Sequence, residues 1–191
     1  MFESPLVDVL RDATEVLRSE RVPHALIGGV AAIAFGNTRA TRDVDLSVII
    51  PDTERGRLIE ALVGHGFSEV AVRGAVIQAR HHSGYRLDLL CAESEFEAML
   101  VHAALPTSTL GCDVPTALLA DLVAFKILAG RPRDLRDIEE LAEHHPALRW
   151  TRVVEMLTLL GVDGSADELA RATAEDELRP VLRRLAAAVR V

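Results

Sequence analysis

Two segments decide how this chain is read. One is His24-Ala25-Leu26-Ile27-Gly28-Gly29-Val30-Ala31-Ala32-Ile33-Ala34-Phe35; the other, separated from Gly29 by thirteen residues, is Asp43-Val44-Asp45-Leu46-Ser47-Val48-Ile49-Ile50. The first reads as a short buried strand over 24–27, a glycine pair, and a short apolar helix closed by Gly36-Asn37. The second reads as a strand with its buried end at Val48-Ile49-Ile50. Side chains alternate along a strand, so Asp43 and Asp45 share one face while Val44 and Leu46 take the other. Strand rise places the two Asp Cα atoms about 6.6–7 Å apart. Two carboxylates so close repel unless a cation lies between them. Divalent metals such as Mg²⁺ answer that need, because they take oxygen ligands and commonly use one or two carboxylates plus substrate phosphates. The plainer alternative is a solvated strand end.

A third carboxylate lies in Tyr85-Arg86-Leu87-Asp88-Leu89-Leu90. Arg86, Asp88 and Leu90 share one face of this strand, and Leu87 and Leu89 the other. A charge among these leucines is costly unless paired or bound to metal. If this strand lies beside the Asp43 strand, all three carboxylates can meet. Three carboxylates holding two metals about 3.5–4 Å apart suit an in-line phosphoryl displacement. The Gly28-Gly29 pair fits the same chemistry: glycine lets backbone approach a phosphate, and the following helix offers free N–H groups. By itself, Gly-Gly after a strand marks only a tight turn.

Ala25 to Ala32, followed by Gly36, Arg39, Thr41, Asp43 and Asp45, resembles the signature of the nucleotidyltransferase superfamily with the DNA polymerase β palm. Within it, the chain is most similar to the small bacterial nucleotidyltransferases of the AbiEii toxin and minimal-nucleotidyltransferase type. Lys126 and the run Gly130-Arg131-Pro132-Arg133-Asp134-Leu135-Arg136-Asp137-Ile138 resemble the helical part of that group. The likeness spans roughly residues 24–142; the tail beyond about Trp150 adds nothing to it. The resemblance implies a nucleoside triphosphate and two Mg²⁺ ions, with Mn²⁺ as an alternative. It implies that Asp43 and Asp45 bind both metals. Asp88 would bind the second and help deprotonate an acceptor hydroxyl, and Gly28 and Gly29 would cradle the triphosphate. Arg39 and Arg42 either reach the triphosphate or pair with the carboxylates, with Arg39 the more functional of the two, and Lys126 is expected as a phosphate ligand. Asp134 and Asp137 are either a helix-start and salt-bridge pair or part of the site. One departure stands out: the superfamily often has Gly-Ser where this chain has Gly28-Gly29, so a serine contact to phosphate is missing.

Around these motifs, apolar spacing predicts a helix from Ser4-Pro5 to about Ser19. Further helices are predicted after Thr53 and after Ser94, and strands near 70–72, 75–79 and 110–114. From Pro115 onward the pattern is helical: one helix to about Leu128, a second over 133–144, then two or three more. The expected fold is α+β, a polymerase-β-like palm with a mixed sheet (1–112) followed by a helical subdomain (113–191).

With 191 residues, 49% hydrophobic and 26% charged, the chain is long enough to bury a core without disulfides or structural metal. Lys+Arg 21 against Asp+Glu 29 gives −8, which argues against a protein that coats nucleic acid but not against one that grips an RNA end. Lys126 is the only lysine, a compact charge suited to phosphate. Cys91 and Cys112 read as free thiols in a reducing compartment. With no signal peptide and no apolar run of membrane length, the expected location is the cytoplasm and no membrane partner is expected. No P-loop and no serine-hydrolase elbow is present. A further phosphotransfer class places Asp-x-Asp after its apolar strand, whereas here the apolar run follows. His81-His82 and His144-His145 lack zinc-motif spacing and read as surface or helix-end residues, with a minor site role left open for His81-His82 because it lies just before the Asp88 strand. Tyr85 and Trp150 are too isolated for base stacking.

The expected function is metal-dependent transfer of a nucleoside monophosphate to an acceptor hydroxyl with pyrophosphate release. The acceptor is RNA, such as a tRNA 3′ end, in a toxin-like member with a cognate antitoxin. It is a small molecule in an aminoglycoside-type member. The rival is a non-catalytic antitoxin or regulatory module, against which the three intact carboxylates speak.

Overall fold

The N-terminal apolar spacing folds as α1 (Pro5–Ser19), which buries Leu6, Val9, Leu10, Ala13, Val16 and Leu17. A computed structural model describes residues 5–175 and 177–188, so the expected cap Ser4 lies outside the described residues. The chain then forms β1 (His24–Ile27), buried throughout, and turns straight into α2 (Gly28–Ala34). Next come β2 (Asp43–Val48), a 3-10 turn over Asp52–Glu54 and α3 (Arg55–Gly64). Thr53 therefore sits inside the 3-10 turn and does not cap α3, whose N-cap is Glu54.

A meander follows: β3 (Phe67–Arg73), β4 (Val76–His81) and β5 (Arg86–Cys91). α4 (Glu95–Ala103) starts at Ser94, whose hydroxyl accepts from the Glu97 amide while Glu97 reaches back to the Ser94 amide. The hairpin β6 (Leu105–Thr109) and β7 (Cys112–Thr116) closes this half. Two expectations are corrected here. The last strand is shifted from 110–114, because Leu110 and Gly111 adopt positive φ and form the hairpin turn. Pro115-Thr116 does not begin a helix; Pro115 pairs with Pro106 across the hairpin and Thr116 lies beside Leu26 of β1.

The strands form one seven-stranded sheet in the order β3-β4-β5-β2-β1-β7-β6. β2–β5 and β1–β7 are parallel and the other neighbours antiparallel, so the sheet is mixed. α1 packs on β2, β5 and β7, and α4 on β1 and β2. This is the α+β architecture expected from the sequence. Cys91 and Cys112 are buried free thiols.

The remaining helices are α5 (Leu119–Ala129), α6 (Pro132–His144), α7 (Trp150–Thr158), α8 (Ala166–Ala174) and α9 (Leu178–Ala188). α5 packs against α6, α7 and α9, and is apolar nearly all round. The chain forms two compact units: residues up to Ala34 with Ala40–Ala117, and Phe35–Arg39 with everything from Leu118 on. The 112/113 division read from the sequence thus falls within β7. Phe35–Arg39 joins the helical unit through Glu140, which accepts from Asn37 Nδ2 (2.8 Å) and from the Thr38 amide (2.9 Å) and hydroxyl (2.8 Å). His145, at the end of α6, places Nε2 2.7 Å from the Phe35 carbonyl. Among the described residues no helix is long and apolar enough to cross a membrane.

Candidate active site

Strand register assembles the carboxylates. β1 and β2 pair antiparallel with Ile27 opposite Asp45, so Gly28, the next residue, lies against the Asp45 side chain. Gly28 has φ +68°, and a Cβ there would stand 2.0 Å from Asp45 Oδ2. Only glycine takes that backbone and leaves that space. β2 and β5 pair in parallel with Asp45 opposite Asp88 and Asp43 opposite Arg86. Partners in register point to the same face, so Asp43, Asp45 and Asp88 share one side of the sheet.

Arg86 lies between two of them. Its guanidinium is 3.0 Å from Asp43 Oδ2 and 3.4 Å from Asp88 Oδ1. A cation bridging two carboxylates marks where the negative potential concentrates. Gln78 on β4 donates to Asp88 Oδ1 at 3.2 Å. Burial pushes the Asp88 carboxyl above its ordinary value, against the pull of Arg86 and the Gln78 bond, and the nearby Asp43 charge adds to the rise. An all-oxygen donor set with unequal burial, Asp43 about one-third exposed and Asp88 largely covered, fits a hard divalent ion.

Gly29 explains the departure from Gly-Ser. A Cβ at Gly29 would come within 2.8 Å of Thr41 Oγ1 and 2.9 Å of Thr41 Cβ. The Thr41 hydroxyl already occupies the space a residue-29 side chain would take, and it lies 3.3 Å from the Asp43 carbonyl. An open hollow adjoins the carboxylates. Asp43 and three arginines, Arg42, Arg80 and Arg86, line it together with Ser83, Gly84 and Tyr85. Arg80 is held by Glu69 at 2.8 Å.

Gly28, Gly29, Asp43, Asp45 and Asp88 are thus brought together in the first unit. Arg39 and Lys126 belong to the second, where both hold Asp137 of α6. Lys126 Nζ is 2.7 Å from Asp137 Oδ2 and 3.9 Å from Asp134 Oδ1, and Arg39 Nε is 3.0 Å from Asp137 Oδ1. Lys126 and Asp137 are almost wholly buried. Burial opposes the Asp137 charge, but the bonds from Lys126 and Arg39 prevail and hold its carboxyl below the ordinary value. Asp134 also pairs with Arg131, at 2.5 Å. Sequence reading missed two contributors. Arg86 was legible only as sharing a face with Asp88, and Thr41 only as part of a motif.

The profile of the family described as nucleotidyl transferase AbiEii toxin, type IV toxin–antitoxin system, matches residues 10–189. A search of curated proteins finds no match. Among solved structures, the lincosamide antibiotic adenylyltransferase LnuA superposes with TM-score 0.54 at 16% identity, covering 75% of this chain and 98% of its own. The antibiotic-resistance factor ANT(2'')-Ia gives TM-score 0.54 at 19% identity, covering 99% and 97%. An antigenic nucleotidyltransferase-like protein from Paracoccidioides brasiliensis gives 0.52 at 17% identity, covering 92% of each chain. These distant likenesses speak to the fold.

Proposed function

Since the chain belongs to the AbiEii nucleotidyltransferase toxin family and is a nucleotidyltransferase, we propose that it transfers a nucleoside monophosphate from an NTP to a hydroxyl of an acceptor RNA. The acceptor oxygen bonds to the α-phosphorus, the α–β phosphoanhydride bond breaks, and pyrophosphate leaves. The observation that carries this reading is the meeting of Asp43, Asp45 and Asp88 on one face of paired strands.

Asp43 and Asp45 would hold two Mg²⁺ ions, or Mn²⁺ in their place, with Asp88 on the second. When bound, such ions supply Lewis-acid charge on the phosphate oxygens and lower the pKa of the acceptor hydroxyl. Asp88 would also help take the acceptor proton. The Gly28 and Gly29 backbone lies along the triphosphate, with the N–H groups opening α2 as donors. The Thr41 hydroxyl stands in for the serine that other members carry at position 29. Arg39 and Lys126 are nucleotide contacts on the strength of the family likeness. Arg39 keeps 37% of its side chain exposed, whereas Lys126 reaches a phosphate only by leaving Asp137.

The hollow beside Asp43 favours RNA over a cationic antibiotic. Three guanidinium groups, those of Arg42, Arg80 and Arg86, line it against the single carboxylate of Asp43. A polycationic aminoglycoside would meet like charge there, while a phosphate backbone would meet its complement. A tRNA end is the proposed acceptor, a cognate antitoxin the proposed regulator, and the cytoplasm the proposed location.

The test is incubation of the full chain with each labelled NTP, Mg²⁺, and either total tRNA or an aminoglycoside panel, beside an Asp45→Ala control. Label on RNA with the native protein only is the expected result. Label on an aminoglycoside overturns the acceptor. No transfer together with no Mg²⁺-dependent NTP binding favours the non-catalytic module.

A further inference from the structure

The turn after β4 carries a cluster that nucleotidyl transfer does not use. His81 ends β4, His82 follows it, and Asp12 of α1 faces them. One donor atom from each lies within 4.8 Å of the others. His81 Nε2 is 3.0 Å from Asp12 Oδ2. Ligands about 2.0–2.1 Å from a tetrahedral zinc ion lie roughly 3.3 Å from one another. The His81–Asp12 pair is therefore already set at close to the spacing of a coordination edge.

Both rings are held in place before any ion arrives. His81 is fully buried, with its ring centroid 5.0 Å from that of Phe67. The His82 ring lies over Gly66, where a Cβ would come 2.9 Å from Nδ1, and the His82 amide donates to the Gly66 carbonyl at 3.1 Å. His82 is exposed and Asp12 keeps 29% of its side chain exposed, so the cluster is open to solvent on one side.

The far nitrogen of His81 sets whether Nε2 is available. Nδ1 is 2.8 Å from Ser83 Oγ and 3.3 Å from the Ser83 amide. With its proton on Nε2, the ring donates to Asp12 and accepts from Ser83. With the proton on Nδ1, it donates to Ser83 Oγ and frees the Nε2 lone pair. Metal-bound imidazoles need an outer acceptor of this kind to fix their tautomer. The Ser83 hydroxyl serves either state and the Ser83 amide, which donates to Nδ1, only the first, so loading gives up that 3.3 Å bond as it moves one proton across the ring without changing the charge of His81.

We propose that Asp12, His81 and His82 form a zinc site that ties the turn after β4 to α1. Two imidazoles with one carboxylate suit Zn²⁺, whereas Mg²⁺ demands oxygen ligands and near-octahedral geometry. This separates the cluster chemically from the three aspartates. Ser83, Gly84 and Tyr85 of the same turn line the hollow beside Asp43, so a bound ion stiffens one wall of it. The inference does not depend on the transferase reaction.

The test uses the full chain without an affinity tag, stripped of metal. Zn²⁺ is titrated by calorimetry and Co²⁺ by visible absorption. The expected result is about one Zn²⁺ per chain, tetrahedral-type Co²⁺ bands, and a Tm raised by Zn²⁺ but not by equal Mg²⁺. His82→Ala and Asp12→Asn remove groups that are at least partly exposed, so these variants fold. Each weakens Zn²⁺ binding at least ~10-fold. The Asp43→Asn/Asp88→Asn double variant keeps it. Binding that survives His82→Ala unchanged, or that is lost with Asp43 and Asp88 instead, overturns the site, as does no binding by the wild type.

Discussion

Two carboxylate clusters in this protein face opposite electrostatic conditions. On β2 and β5, three aspartates share one face, with the Arg86 guanidinium bridging two of them, Asp43 and Asp88. On α6, Asp137 is held by both Lys126 and Arg39, and Asp134 by Arg131. Burial and a neighbouring carboxylate raise Asp88 above its ordinary pKa; two cations hold Asp137 below its own. In the first cluster two carboxylates share one guanidinium, and the second is compensated by a cation on each carboxylate. Carboxylates set side by side on adjacent strands suit an added cation. Compensated charge in a helical core holds the fold.

Substitutions should separate the two. The largest effect is on catalysis: Asp45→Asn should lower transfer by on the order of 10³-fold, because a metal ligand is lost. Thermal unfolding should move by less than about 1 kcal/mol. Lys126→Met should act chiefly on stability, with a smaller loss of nucleotide affinity beside it. It leaves Asp137 buried with one partner fewer and costs about 3 kcal/mol of stability, measured by denaturant unfolding. If Lys126→Met unfolds like wild type, the helical cluster is not the compensated one. Gly28→Ala falls between them. It strains a positive-φ position by roughly 1–3 kcal/mol and displaces the Asp45 carboxylate. Stability and transfer should both drop, and transfer assays at saturating Mg²⁺ should not restore it.

The pH dependence has opposite signs in the two places. Asp137 has a depressed folded-state pKa, so its stabilisation is present above the unfolded value, about 3.9, and is lost as pH falls through the folded value. Asp88 has a raised one, so its ionisation works against the metal-free fold as pH rises through that value. Without metal at neutral pH, Asp88→Asn should therefore unfold at the same or slightly higher temperature than wild type, and Asp137→Asn at a lower one. The loss in Asp137→Asn should match that of Lys126→Met, since the same buried pair is broken; the shift in Asp88→Asn is the smallest effect, and calorimetry of the two variants reads both. A clear loss of stability in Asp88→Asn would erase the contrast.

What was legible in the sequence follows the range of the interactions. The alternation in Asp43-Val44-Asp45-Leu46 and in Arg86-Leu87-Asp88-Leu89 is local, so both strands and their faces were readable. Their adjacency was only a condition until the parallel register placed Asp45 beside Asp88. The edge strand β6 was missed because Leu105-Pro106-Thr107-Ser108-Thr109 is polar, carries a proline and is largely exposed, so no apolar run announces it. The attachment of Phe35–Arg39 to the helical unit was not readable, since it depends on Glu140 more than a hundred residues away. Lys126 was singled out for its chemistry, but its buried pairing with Asp137 is a tertiary fact. The missing serine at 29 was visible as a departure; its reason, the Thr41 side chain filling that space, was not.

The most direct measurement is electron paramagnetic resonance of Mn²⁺ bound to the full chain in the presence of a non-hydrolysable NTP, comparing wild type with Asp45→Asn and Asp88→Asn. Shared ligation by β2 and β5 predicts nucleotide-dependent Mn²⁺ binding that both variants lose. Equal Mn²⁺ binding in all three proteins would contradict it.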